Sequence, residues 1–142
     1  MNTKTKGNMA ESIILSEFVR KGVPVLIPFG DNDKYDLVVQ LKDIFKSVQI
    51  KYGRYAKGVV VADIRHRIGT NRIKYETYSG KVDYIAIWCA ELNTSYLMPI
   101  EECGKTHIFL RVDEPKNNSC TSTIIWASDY DFSKVLLKIL NE

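Results

Sequence analysis

Apolar residues recur at helical spacing near both ends of the chain and at strand spacing between them. Ala10, Ile14, Leu15, Phe18 and Val19 lie three, four and one apart, a stripe that predicts a helix over residues 3–21. Arg20, Lys21 and Gly22 end it, with two cations for the negative end of the helix dipole and a glycine for the left-handed cap. Val23-Pro24 cannot easily continue it. Near the far end, Phe132, Val135, Leu136, Ile139 and Leu140 fall at i, i+3, i+4, i+7 and i+8, a second helix with Ser128 or Asp129 as its cap. Between the two lie short strand patterns: Val25 to Phe29, two runs within Tyr35 to Lys51, a longer pair within Lys57 to Gly80, then Val82 to Ala90, Ser95 to Ile100 and His107 to Val112. Val82 to Ala90 is almost continuously apolar, as a strand buried on both faces would be. Ile124 to Trp126 reads as a short buried strand or as the approach to the last helix. Strands framed by helices predict an α/β (α+β) fold in a single domain, residues 1–142.

The stretch YDLVVQLKDIFKSVQIK, residues 35–51, is where chemistry gathers. A two-residue turn at Lys42-Asp43 sets Asp36 across from Gln49, and directly opposed residues project to one face. Gln49 and Lys51, two apart, share that face. Leu37, Val39, Ile44, Val48 and Ile50 take the other. On the first helix, Glu11 stands three and four residues before Ile14 and Leu15, on the inward side, where an acid needs a partner. These positions bring Glu11, Asp36, Gln49 and Lys51 together.

A second pattern concerns Lys57 to Gly80. With Gly69-Thr70 as the turn, Arg67 opposes Arg72 and Arg65 opposes Lys74, so four cations share one face of a two-stranded ribbon. Ile64, His66, Ile73 and Tyr75 take the other face. Such a ribbon fits the major groove of B-DNA, where arginine bonds guanine bidentately. It equally describes a solvated sheet edge protected by charge. Asp63 and Glu76 continue the face, so its basic character is confined to the tip.

Composition narrows the classes. Hydrophobic residues make up 45% and charged residues 26% of the 142, a globular balance. The net charge of +3 is compatible with nucleic acid without demanding it. No apolar run approaches the ~20 residues of a membrane span, and the polar opening MNTKTKGN has no signal core, so a cytoplasmic location is expected. Three cysteines without CxxC spacing indicate neither a disulfide framework nor a zinc site. With two histidines, no Ser/His/Asp or Cys/His arrangement can be built, and there is no Walker loop or GxGxxG. What remains is a group of acids with a lysine, suited to a hard divalent cation such as Mg²⁺. A bound cation lowers the pKa of water and offsets charge developing on a phosphate, and an ammonium beside it orients that water.

An acid on an N-terminal helix, an aspartate at a strand start and Gln49-Ile50-Lys51 on the paired strand resemble the PD-(D/E)XK nucleases. The opening NTKTKGNMAESIILSEFVRKGVPVLIPFGDNDKYDLVV, followed by VQIKYGR, is similar to the small intron-encoded homing endonucleases of that superfamily. The resemblance is sharp over residues 2–54 and vague beyond them. It implies a restriction-endonuclease-like mixed sheet flanked by helices. It also implies Mg²⁺-dependent cleavage of double-stranded DNA that leaves 5′-phosphate and 3′-hydroxyl ends, by a homo-oligomer, either dimer or tetramer. In this pattern Asp36, Gln49 and the Ile50 carbonyl hold the ion, Glu11 assists directly or through water, and Lys51 positions the attacking water. Arg65, Arg67, Arg72 and Lys74 would contact DNA from the ribbon, and Lys4 and Lys6 from the first helical turn. Two departures stand out: Tyr35 where the motif has proline, and Gln49 where it usually has an acid. Glutamine offers one neutral oxygen, so weaker metal binding or fewer ions are expected. The same acids serve junction resolvases and restriction-type endonucleases, and a DNA-binding module whose nuclease site has decayed would also carry Gln49.

Overall fold

A computed structural model of the chain describes residues 1–30, 33–68, 74–116 and 123–142. Helix α1 spans Thr3–Arg20. Asn2 caps it by accepting from the Thr5 amide at 2.8 Å, and Gly22, at φ 76°, leaves it in the left-handed region. Among the described residues nine strands follow: β1 (Val25–Leu26), β2 (Leu37–Leu41), β3 (Ile44–Ala56), β4 (Val59–Asp63), β5 (His66–Ile68), β6 (Lys74–Glu76), β7 (Tyr84–Cys89), β8 (Thr94–Pro99) and β9 (His107–Arg111). Helix α2, Phe132–Asn141, closes the described chain. No helix among the described residues is long and apolar enough to cross a membrane.

Seven strands form one mixed sheet in which β3 is the hub. It pairs antiparallel with β2 along Ile44–Val48, parallel with β7 along Val48–Gly53, and antiparallel with β4 along Arg54–Ala56. β1 extends the sheet beyond β2, β9 beyond β4 and β8 beyond β7. Two tight turns set these registers, Lys42-Asp43 at φ 52° and 67° and Lys57-Gly58 at φ 53° and 81°. Positive φ at both central residues matches the right-handed twist of a hairpin.

Two apolar layers result. One holds Ala10, Ile14 and Phe18 of α1, Val39 and Val48 of the sheet, and Phe132 and Leu136 of α2. The Phe18 and Phe132 rings meet edge to face, 4.8 Å between centroids, and so join the two helices. The other holds Val60, Ala62, Ile108 and Leu110 of β4 and β9 against Ile85 and Ile87 of β7, with Tyr78. β7 feeds both layers, Ala86 and Trp88 to one and Ile85, Ile87 and Cys89 to the other, which is why its sequence shows no alternation.

Several expectations shift. The first strand is only Val25–Leu26, because Ile27 to Phe29 run exposed past the end of β2. Val19 and Ile44 are exposed, and Leu41 occupies the core position nearest the turn. Asp131, not Ser128 or Asp129, caps α2 by accepting from the Lys134 amide. A 3₁₀ turn over Ala127–Tyr130 takes up the intervening residues. Arg111 bridges Trp126, so the segment before that turn is a single β-bridge. The basic ribbon is a separate two-stranded sheet whose register pairs Arg67 with Tyr75 and Ile68 with Lys74. This is not the register that a Gly69-Thr70 turn would set, and Arg67 and Lys74 fall on opposite faces. Gly69, Thr70, Arg72 and Ile73 lie outside the described residues, as does Cys120, while Cys89 and Cys103 are free thiols.

Gly53 marks the point where β3 passes from β7 to β4. A Cβ there would stand 2.7 Å from Ile87 Cγ2 and 3.1 Å from Val60 Cγ1. Gly53→Ala is expected to destabilise the protein by about 1–3 kcal/mol through overpacking. Thermal unfolding measures this, and an unchanged Tm would contradict the close packing.

Candidate active site

β2 begins only at Leu37, while β3 continues for eight residues past its partner Val48. From Gln49 to Gly53, β7 is the only strand paired with β3 among the described residues. Asp36 sits in the space this leaves. Its amide donates to the Val48 carbonyl at 2.8 Å, and its carboxylate Oδ2 accepts from the Ile50 amide, also at 2.8 Å. A side chain thus completes a ladder that the strand abandons. The Ile50 amide takes only one of the two carboxylate oxygens. The Ile50 carbonyl faces the same edge, since the N–H and C=O of one strand residue point the same way.

Glu11 reaches this point from α1. It stands on the exposed rim rather than inward, with its carboxyl group against that of Asp36, close enough for the two to share a hydrogen bond. Both acids titrate above the ordinary carboxylate range. For Glu11, burial comes first and the Asp36 charge second. For Asp36, burial outweighs the opposing pull of the Ile50 amide, the Lys51 charge and the hydrogen bond with Glu11. Two carboxyls facing one another at a half-dry edge are the electrostatic problem that a divalent cation relieves. The oxygen donors suit a hard ion: two carboxylates, the backbone carbonyl of Ile50 and the Gln49 amide.

Lys51 lies on the far side of Ile50, sharing a face with the half-buried Gln49. Burial lowers its pKa, against the attraction of Asp36 and Asp63. Its ammonium stands 3.3 Å from the Tyr78 hydroxyl. Glu11, Asp36 and Lys51 therefore converge electrostatically, as the sequence pattern requires, with Gln49 beside Lys51 on β3. Lys6, above the ring of Tyr52 at 5.6 Å, lines an open cleft with Ile50, Lys51 and Arg54, whereas Lys4 is simply exposed.

The ribbon departs from its expected form. Arg65 lies outside β5 and is occupied locally. It pairs with Asp63 at 2.7 Å and stacks on Tyr75, 4.4 Å from the ring centroid, and it holds the Asp63 carboxyl down at about 2. Glu76 takes Lys34 and Lys81, each at 2.7 Å, which hold it at about 2. Among the described residues, Arg67 and Lys74 make no ion pair and are exposed. The sequence reading missed Tyr78, Lys34, Lys81 and Arg54. Tyr78 follows the ribbon in a stretch without periodicity, and only the fold brings it beneath Lys51.

The chain matches the family profile described as PD-(D/E)XK endonuclease over residues 1–133. Among solved structures it is similar to that of the bacterial homing endonuclease I-Ssp6803I, with 25% identity and a TM-score of 0.77, covering 99% of this chain and 95% of that one. A more distant likeness, to MepB, has 16% identity and a TM-score of 0.40 over 98% of this chain and 95% of the other. The search of curated proteins found no match. The family match runs from α1 through the whole sheet to the start of α2, and on it the chain belongs to the PD-(D/E)XK endonuclease family.

Proposed function

We propose that the protein is a site-specific, homing-type endonuclease that cuts double-stranded DNA with Mg²⁺, built as one nuclease domain over residues 1–142. The convergence of Glu11, Asp36 and Lys51 at the unpaired edge of β3 carries this reading. The full-length likeness to a homing endonuclease supports it. The Asp36 carboxylate, the Ile50 carbonyl and Gln49 would hold the ion, with Glu11 contributing directly or through water. When bound, the ion supplies a more acidic water and offsets charge on the phosphate. Lys51 orients the attacking water and stabilises the negative charge that grows on the phosphate oxygens. Lys6 and Lys4 from α1, with Arg67, Lys74, Arg65 and Arg72 from the ribbon, would hold or read the duplex. A cut through both strands of a symmetric site requires two active sites, hence a homo-oligomer. The direct test is a randomised-site plasmid library incubated with Mg²⁺ or with EDTA, followed by sequencing of the ends. One long site cut only with Mg²⁺, leaving 5′-phosphates, is the expected result. Cutting at a short frequent site, or only at four-way junctions, would reassign the substrate.

Three variants test the parts. Lys51→Ala should abolish cleavage while duplex affinity, read by fluorescence anisotropy, stays close to wild type. Cutting at the normal rate would remove Lys51 from the mechanism. Arg67→Ala should weaken DNA binding and reduce the salt slope by about 1. An unchanged slope would take the ribbon off the DNA. Asp36→Asn keeps an oxygen for the Ile50 amide but removes the charge. Acids whose folded pKa is raised stabilise the fold below that pKa, and the benefit is lost as pH rises from about 4, the unfolded value, through the folded value. In EDTA at pH 7 Asp36→Asn should therefore melt about 2–4 °C above wild type, a margin that closes toward pH 4. Mg²⁺ should raise the Tm of wild type alone. A variant that melts lower at pH 7 would contradict the repulsion.

A further inference from the structure

Lys51 is a flexible side chain, and its nearest strong attraction is Asp36, one of the proposed ion ligands. An ammonium collapsed onto Asp36 would neutralise that ligand and leave the water unattended. Yet among the described residues no ion pair joins the two. The ammonium instead meets the Tyr78 hydroxyl at 3.3 Å and lies 5.1 Å from the centre of the Tyr78 ring, so Tyr78 holds it through both its hydroxyl and its ring. Tyr78 is buried, and its carbonyl accepts from the amides of Lys81 and Val82, which fixes its backbone at the entry to β7. On the other side of the same hydroxyl, His66 Nδ1 stands at 3.3 Å, with the two rings edge to face.

A lysine ammonium has only donors, so the Tyr78 oxygen accepts from Lys51, and with His66 Nδ1 unprotonated the Tyr78 O–H donates to that nitrogen. Burial, first among its causes, pushes the phenol up to about 12, so it keeps that proton. His66 is pushed down, by burial and then by the Lys34 charge, which suits a neutral ring with Nδ1 as acceptor.

We propose that Tyr78 is the positioning residue for Lys51, and that His66 sets the orientation of the Tyr78 hydroxyl. Because His66 belongs to β5, the proposed DNA-facing ribbon and the catalytic lysine are joined through one phenol. This rests on the nuclease reading above.

Single-turnover cleavage at saturating protein and Mg²⁺, beside duplex affinity and Tm, tests it. Tyr78→Phe should cut about ten- to a hundredfold more slowly, the loss expected of one hydrogen bond to a charged group, with affinity unchanged. His66→Leu should fall similarly, and the double variant should be no slower than Tyr78→Phe alone. His66→Asn, whose side-chain oxygen can stand where Nδ1 does, should cut close to the wild-type rate. Tyr78→Phe cutting as fast as wild type, effects that multiply in the double variant, or a loss confined to affinity would each overturn the proposal. If wild type cuts no DNA, the nuclease reading itself fails. If wild type cuts, Lys51→Ala does not and Tyr78→Phe is unaffected, only the role of Tyr78 fails.

Discussion

One hydrogen bond organises the site: the Asp36 carboxylate accepting from the Ile50 amide. A strand that continues past its neighbour leaves backbone groups unpaired, and at a half-buried edge each of those is costly. Here a side chain takes the amide. That contact fixes the carboxylate just before the start of β2, beside the Ile50 carbonyl, which faces the same way. The site is thus a consequence of where two paired strands part. Glu11 arrives because α1 packs through Ala10, Ile14 and Phe18 on the sheet, which brings the neighbouring helical position to the rim. Lys51 arrives because residues alternate across a strand.

The same reasoning explains the electrostatics. Burial works against every charged form in the site, raising both acids and lowering the lysine. Two acids facing one another with one buried lysine nearby are not a stable way to end a sheet. They store repulsion that a cation can release, an instance of a functional site held at the expense of stability. The aspartate and glutamate at the base of the ribbon behave in the opposite way. Asp63 and Glu76 are paired with neighbouring cations and sit well below the usual range, so they consume positive charge locally and leave Arg67 and Lys74 as the exposed cations of the ribbon strands.

Legibility in the sequence followed the length of the turns. Lys42-Asp43 is a two-residue turn, so the positions of Asp36, Gln49 and Lys51 followed from counting, and the structure keeps that register. β7 declared itself through apolar composition, and α1 through spacing and its terminal glycine. The ribbon did not: the observed pairing of Ile68 with Lys74 differs from the register that a Gly-Thr turn would set, and it separates Arg67 from Lys74. Arg65 is engaged locally by an aspartate two residues away, a pairing that the ribbon pattern did not anticipate. Tyr78 carried no signal at all, since its contacts with Lys51 and His66 join elements distant in sequence. Local chemistry and short turns are written in the chain; partners that meet only through the packing of the ribbon against the sheet are not.

The most direct test of the account is a crystal of the protein with short duplex DNA and Mn²⁺, read by anomalous diffraction. The account requires a metal peak about 2.1 Å from an Asp36 carboxylate oxygen, with the Ile50 carbonyl in its shell and Lys51 still on Tyr78 rather than on Asp36. A peak away from Asp36, or Asp36 bound to Lys51 with no metal beside it, would contradict it.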